Sequence, residues 1–300
     1  MKAILLSLFV ALLMVGCGEW SNPSESVDMT DTAPKKDAIE TAVDWSKLQD
    51  RNGVTYLPNT QEPFSGCAKR AYGNEQIEVL AQFKDGYVVR RKEWWENGTP
   101  RREENFKDGK KHGLWTRWYR NGQKKGEINL KDGKPDGSGF TWYENGQKHL
   151  ESNYKDGRLD GLQTMWYDGG QKKVEANYKD GKMEGFAKRW RKTGLISEEG
   201  YWKAGKIMSV VMWKPNGEKC SHTNLKNGNG LVTGYYDNGQ RTGVGNHVGG
   251  RFMSAIVFKP NGEKCPVTNL RNGNGVVVWY DEEGSEKTRR NFKNGEQFLD

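Results

Sequence analysis

The sequence predicts an all-β fold, an elongated antiparallel sheet of stacked β-hairpin repeats, and three observations carry the prediction. Two interleaved series of glycines run from Gly98 to Gly284 and from Gly86 to Gly295, with successive members of each series 22 to 24 residues apart. Asn or Asp precedes most of them, and such dipeptides are strong hairpin signals because a type I′ turn needs positive φ at both central positions. Four residues before each glycine of the first series stands an aromatic residue: Trp94, Trp118, Trp142, Trp166, Trp190, Trp213, Tyr235, Phe258 and Tyr280.

The elements follow in chain order. Lys2 and the apolar run that ends before Cys17 have the anatomy of a secretion signal, which assigns residues 1–16 to a signal peptide. Met14-Val15-Gly16-Cys17 resembles a bacterial lipobox, in which the cysteine is lipidated and becomes the mature N-terminus. The resemblance implies an exported protein anchored through Cys17, on the outer membrane in a cell that has one. Residues 17–52 are rich in Ser, Thr, Asp and Pro without a sustained period, the composition of a disordered acidic linker.

The hairpin array then occupies residues 53–300. The segment from Gly53 to Pro63 is placed to cap the first repeat. Between turns there is room for strands of about six residues, and some twenty strands would span on the order of 95 Å. The aromatic column lines one face of the sheet. A second column, Phe83, Phe106, Leu130, Tyr154, Tyr178, Trp202, Leu225, His247, Leu270 and Phe292, is apolar with one break at His247. A lone hairpin is marginal in water, so each repeat must bury the rings of its neighbour. The pattern is regular to about residue 205. In 206–295 a 45-residue duplication appears, with KPNGEKCSHTNLKNGNG at 214–230 repeated as KPNGEKCPVTNLRNGNG at 259–275.

The segments GLWTRWYRNGQKKGEINLKDGK (113–134) and GLQTMWYDGGQKKVEANYKDGK (161–182) resemble the degenerate bacterial variant of the MORN repeat family. Some members of that variant carry the label of a YwqK-like antitoxin family. The resemblance implies an exported lipoprotein built of repeats. It also implies roles in protein assembly, in binding anionic phospholipid, or in neutralising a toxin.

The residues themselves point away from catalysis. Carboxylates such as Asp108, Asp132, Asp156 and Asp180 recur at turns, where Asp-Gly geometry explains them. Cys220 and His222 form a ligand pair that the duplicate does not repeat, because Val267 takes the place of the histidine. No metal site and no cofactor are therefore expected. Cys67, Cys220 and Cys265 leave an odd thiol in the array. Equivalent positions four strands, or about 19 Å, apart keep Cys220 and Cys265 from bridging. His112, Asp136, Asp160 and Glu184 share a slot that wants a polar turn residue.

Surfaces remain. Residues 18–63 carry 9 acidic and 4 basic residues, a net −5, so with Lys2 set aside the rest of the chain carries +12 of the overall +8. Basic and acidic residues mix without a basic stripe, which argues against nucleic acid. Tyr72, Trp95, Tyr119, Tyr143, Tyr167 and Tyr236, next to the core aromatics, are expected on the opposite side of the sheet as a candidate binding face. Lys124, Lys125, Lys148, Lys172 and Lys173 follow the turns and are expected along one edge. The reading is a non-catalytic, membrane-anchored scaffold that binds an unidentified envelope protein. The alternatives are an anionic phospholipid or cell-wall glycan on the basic aromatic face, and antitoxin-like neutralisation of a partner.

Overall fold

Two kinds of tight turn alternate along the chain, and each follows from its own side chains. In the Asp-Gly series both central residues have positive φ, as at Asp156 (50°) and Gly157 (85°). This is the expected two-residue type I′ turn, and its flanking residues Lys155 and Arg158 pair directly. The Asn-Gly series departs from that expectation. Gly146 has φ 84° but Asn145 does not share the left-handed region. The Gly146 N–H donates to Tyr143 O at 2.9 Å, and the Tyr143 N–H donates to Gln147 O at 2.8 Å. This is the pattern of a type I turn closed by a left-handed glycine and a bulge, and the ladder register shifts between Thr141 and Trp142. The asparagine side chain supplies the reason, since Asn145 Oδ1 accepts the Gln147 N–H at 3.0 Å and holds the turn.

The structure, a computed structural model, describes residues 36–298. The chain divides into two units, Met1–Gln123 and Lys124–Asp300.

In the first unit the strands Gly66–Ala71, Ile77–Lys84, Tyr87–Trp94, Pro100–Lys107 and Gly113–Trp118 pair antiparallel in chain order. The linker boundary read from composition is corrected here, because residues 36–52 fold onto this sheet. A helix over Lys36–Glu40 precedes a strand, Val43–Asp44, that pairs in parallel with Gly66–Ala71. Ala38 and Ala42 are buried with Cys67, Leu80 and Trp94, while Trp45 and Leu48 pack on a second cluster of Phe64, Ala68, Ala81 and Phe83. Leu80 and Ala81 are neighbours on one strand and point to opposite faces, so the N-terminal segment covers both sides of the first hairpin. Average composition hides this because a few well-spaced apolar residues suffice. The expected cap takes part as well: the hairpin Gln49–Arg51/Val54–Tyr56 is tied in by Thr55 N–H to Gly86 O at 3.0 Å.

In the second unit eight strands from Lys124–Lys131 to Lys206–Met212 pair antiparallel in sequence order. Successive Asp-Gly turns are tied by backbone bonds, Gly157 N–H to Pro135 O and Gly181 N–H to Leu159 O, both at 2.8 Å. The polar slot of the sequence reading acquires a cause. Glu184 accepts the Ala204 N–H at 2.6 Å and Asp160 accepts the Asp180 N–H at 3.4 Å, each satisfying a turn donor of the next repeat. The second column sits opposite glycine: Tyr178 pairs with Gly161, Trp202 with Gly185 and His247 with Gly230. The glycines leave room for the rings.

The duplicated third forms two three-stranded sheets, Gly230–Tyr235/Arg241–Val248/Arg251–Val257 and Gly275–Tyr280/Glu286–Lys293/Glu296–Phe298. Before each runs a loop that replaces a strand and buries Leu225 or Leu270.

Candidate functional site

The aromatic column serves mainly to hold the repeats. Trp94 is 2% exposed and the other eight members are half-buried. In the second unit the half-buried rings of Trp142, Trp166 and Trp190 each receive a cation from the preceding repeat. Lys124 Nζ lies 5.7 Å from the Trp142 ring, Lys148 Nζ 5.2 Å from Trp166 and Lys172 Nζ 5.8 Å from Trp190. The same ammoniums pair with Glu127, Glu151 and Glu175 at 2.7, 2.9 and 2.6 Å. The edge position expected for Lys124, Lys148 and Lys172 is thus corrected. A bulge places lysine and glutamate, three residues apart, on one face, where the methylene stem covers tryptophan and the charge meets a carboxylate.

The candidate binding face is also spent on stacking. The hydroxyls of Tyr72, Tyr143, Tyr167 and Tyr236 donate to the carbonyls of Trp94, Trp166, Trp190 and Phe258 at 2.8 to 2.9 Å, each in the next repeat. Tyr236 is 3% exposed, and burial, followed by Glu282 and Asp281, pushes its phenol up to about 12. Burial raises Tyr167 too, with Asp237 adding to it. Tyr119 is half-buried and closes a turn through its N–H to Gln123 O at 2.8 Å. Trp95, the tryptophan of this column, is half-buried with Arg101 at 4.7 Å and Arg120 at 5.6 Å from its ring.

What lies open is a set the sequence reading missed. The residue after each positive-φ glycine at Gly113, Gly161, Gly185 and Gly230 is apolar and exposed: Leu114, Leu162, Phe186 and Leu231. The backbone there is pegged by asparagines, with Asn105 Nδ2 to Leu114 O at 2.9 Å and Asn153 Nδ2 to Leu162 O at 3.0 Å. Phe186 is 71% exposed and meets the Tyr201 ring at 5.2 Å. The signal was present in the phrases HGLW, DGLQ, EGFA and NGLV, once the glycine is known to hold a left-handed φ.

Glu104 in the first unit breaks the periodicity. It is 0% exposed in the strand slot that Ala81 and Ala176 fill elsewhere. Lys111 Nζ approaches Glu104 Oε1 at 2.7 Å and Arg91 Nε donates to Oε2 at 2.9 Å. Burial pushes this carboxyl up, but the hydrogen bonds from Lys111 and Arg91 and the charges of Arg91 and Arg102 outweigh it and hold the group below its ordinary value.

The thiols are enclosed. Cys220 and Cys265 are free and buried, and each meets a tyrosine hydroxyl, Tyr235 at 3.4 Å and Tyr280 at 3.1 Å. Thr223 and Thr268 donate to the same sulfurs at 3.6 and 3.3 Å. Cys67 is disulfide-bonded. Cys17, the expected lipid-bearing residue, lies outside the described residues. Among the described residues no group of three His, Cys, Asp or Glu is arranged to hold a metal ion.

Four segments of the chain, residues 88–108, 111–132, 135–156 and 159–180, match the family described as MORN repeat variant. Each matched segment ends on the aspartate of an Asp-Gly turn, so the unit of the family coincides with the unit of stacking. No curated protein matches the chain.

Proposed function

We propose that the chain is a non-catalytic binding scaffold whose repeats present a sheet face to a partner protein of the bacterial envelope, with a lipid on Cys17 as its anchor. One observation carries the reading. Leu162, Phe186 and Val211 stand exposed on strands of the paired sheet, which is apolar surface that stacking does not use. Exposed apolar surface on a rigid support marks a site of interaction with another molecule. A photocrosslinking amino acid at position 186, introduced into the protein in its own envelope, should capture a discrete partner. Loss of that product when Leu162→Ser and Val211→Ser are added to the same protein, with folding intact, supports the reading, whereas capture of nothing above background overturns it.

The anchor is read by intact mass of the mature protein and by detergent partitioning of Cys17→Ser. An unmodified Cys17 refutes the anchor.

A second reading, capture of an anionic phospholipid or glycan, draws on the first unit. There Arg101 and Arg120 flank Trp95, and Lys111 and Arg117 lie 5.1 and 4.4 Å from the Trp115 ring. Pelleting with anionic but not neutral vesicles, lost at high salt, would favour it over the protein scaffold.

A further inference from the structure

The two copies of the 45-residue duplication are alike in backbone and unlike in surface. In both, the cysteine N–H returns to the preceding strand, Cys220 to Met212 O at 2.7 Å and Cys265 to Val257 O at 2.8 Å. In both, an asparagine after the cysteine accepts a strand N–H, Asn224 from Leu231 at 2.7 Å and Asn269 from Val276 at 2.8 Å. Equivalent positions can therefore be compared one by one.

In the second copy the loop stands off the strand face and leaves a cavity of about 1140 Å³. Its floor carries Leu231, Val244 and Ile256 beside the polar Asn246 and Ser254, and its loop side carries Lys264 and Arg271. Leu231 and Ile256 are among the exposed apolar residues. No carboxylate lines the cavity. At the strand position equivalent to Val244 one period earlier, in the last of the regular repeats, stands Glu199, which pairs with Lys188 at 2.9 Å, so a charge pair lies across the corresponding strand face. The duplicate has exchanged that pair for Val244 and Thr233 while keeping cations at both loop positions, Lys219 and Lys226 in one copy and Lys264 and Arg271 in the other.

An apolar floor beside two cations, with no anion in the wall, favours a ligand that brings its own carboxylates along with apolar groups. Leu231 and Ile256 are exposed apolar residues like those on which the scaffold reading rests, and the inference depends on that reading for the class of partner. We propose that this groove receives an extended segment of a partner protein in which apolar and acidic side chains alternate. An extended chain sends successive side chains to opposite sides, so apolar groups meet the Leu231, Val244 and Ile256 floor while carboxylates reach Lys264 and Arg271.

The test uses the whole mature protein and a fluorescein-labelled ten-residue peptide of alternating Leu and Glu, read by anisotropy. Peptides of alternating Ser and Glu, and of alternating Leu and Lys, serve as comparisons. The expected result is saturable binding of the Leu/Glu peptide that weakens with salt. Lys264→Glu combined with Arg271→Glu should weaken it at least about tenfold. Ile256→Ser should weaken it also, whereas Lys219→Glu with Lys226→Glu leaves it within about threefold. Thermal unfolding of each variant establishes that the fold persists. Equal binding of the Leu/Lys peptide, equal binding of the Ser/Glu peptide, or unchanged affinity in the Lys264/Arg271 variant overturns the proposal. Crosslinking from position 186 reads the scaffold independently: a captured partner with no binding of the Leu/Glu peptide refutes the acidic-segment proposal and leaves the scaffold standing.

Discussion

The hydroxyl of Tyr167 donates to the carbonyl oxygen of Trp190 at 2.9 Å, joining one repeat to the next. Tyr143 makes the same bond to Trp166 at 2.8 Å. A tyrosine that looks like a ligand-stacking residue in sequence is thus a staple between neighbours. Tyr167→Phe keeps the ring and removes one bond, so it should cost about 1 kcal/mol in urea unfolding. Tyr143→Phe should cost about the same, and the two should add because they sit at different repeat interfaces. Unchanged unfolding midpoints in both would return these residues to the candidate binding face.

Gly200 lies under Trp202. A Cβ built on Gly200 would come within 2.5 Å of the indole ring and 3.0 Å of Ser209 O. Gly200→Ala should therefore destabilise the second unit by about 1 to 3 kcal/mol through overpacking. At Gly73 an added methyl group would meet no atom within 4 Å, and the backbone there has no positive φ, so Gly73→Ala is the neutral comparison. Equal thermal stability of the two variants would contradict the packing of Trp202.

His247 sits in an otherwise apolar column, stacked on Phe252 at 4.9 Å, and burial pushes its pKa down to about 4. The folded imidazole resists protonation that the unfolded chain accepts near 6.5. Its contribution to stability is present above pH 6.5 and is lost as the pH falls toward 4. Allowing for partial solvent screening, the loss is about 2 kcal/mol. Urea unfolding at about pH 7.5 and about pH 4.5 should show it, and His247→Phe should flatten the profile in that window. A variant as acid-sensitive as the parent across that range would assign the effect to carboxylates instead.

Glu104 balances Arg91, Arg102 and Lys111 in a fully buried slot. Removing its charge strands the cations, so Glu104→Gln should cost about 3 kcal/mol. Glu199→Gln, which breaks the more open pair with Lys188, should cost less than about 1 kcal/mol. Because the Glu104 carboxyl is held below its ordinary value, its contribution is present above pH 4.5 and is lost as the pH falls further. Similar losses in the two variants would mean that burial does not set the energetics.

Cys220 and Cys265 are held by access rather than by acidity. Burial raises each thiol, hydrogen bonds from Tyr235 and Thr223 or from Thr268 and Tyr280 bring it below its ordinary value, and exposure is 5% and 2%. A thiol reagent should label both in denaturant and neither in the folded protein. Rapid labelling of the native protein would show that the duplicated loops open.

The regular part of the fold was legible because its forces are local. Asp156-Gly157 prescribes a type I′ turn wherever it occurs, and the spacing from Trp142 to Trp166 prescribes stacked strands. The candidate site was not legible in the same way. Whether Tyr143 faces solvent or reaches Trp166 O depends on a bulge at the neighbouring turn, and whether Lys148 lines an edge or covers Trp166 depends on the same bulge. Ala38 and Trp45 looked like tether residues because their partners, Leu80 and Phe83, lie far along the chain.

The sequence by itself determined the repeat, its turns, its aromatic columns and its division into a regular part and a duplicated one, since each rests on contacts within a hairpin or between adjacent ones. Tertiary structure decided which side chains were left over. Leu162, Phe186, Leu231 and Ile256 are exposed because left-handed glycines and bulges shift the alternation of faces. The groove beside Lys264 and Arg271 exists because a loop replaces a strand there. Exposure is what remains after packing has taken its share, so it is settled when the neighbours are in place.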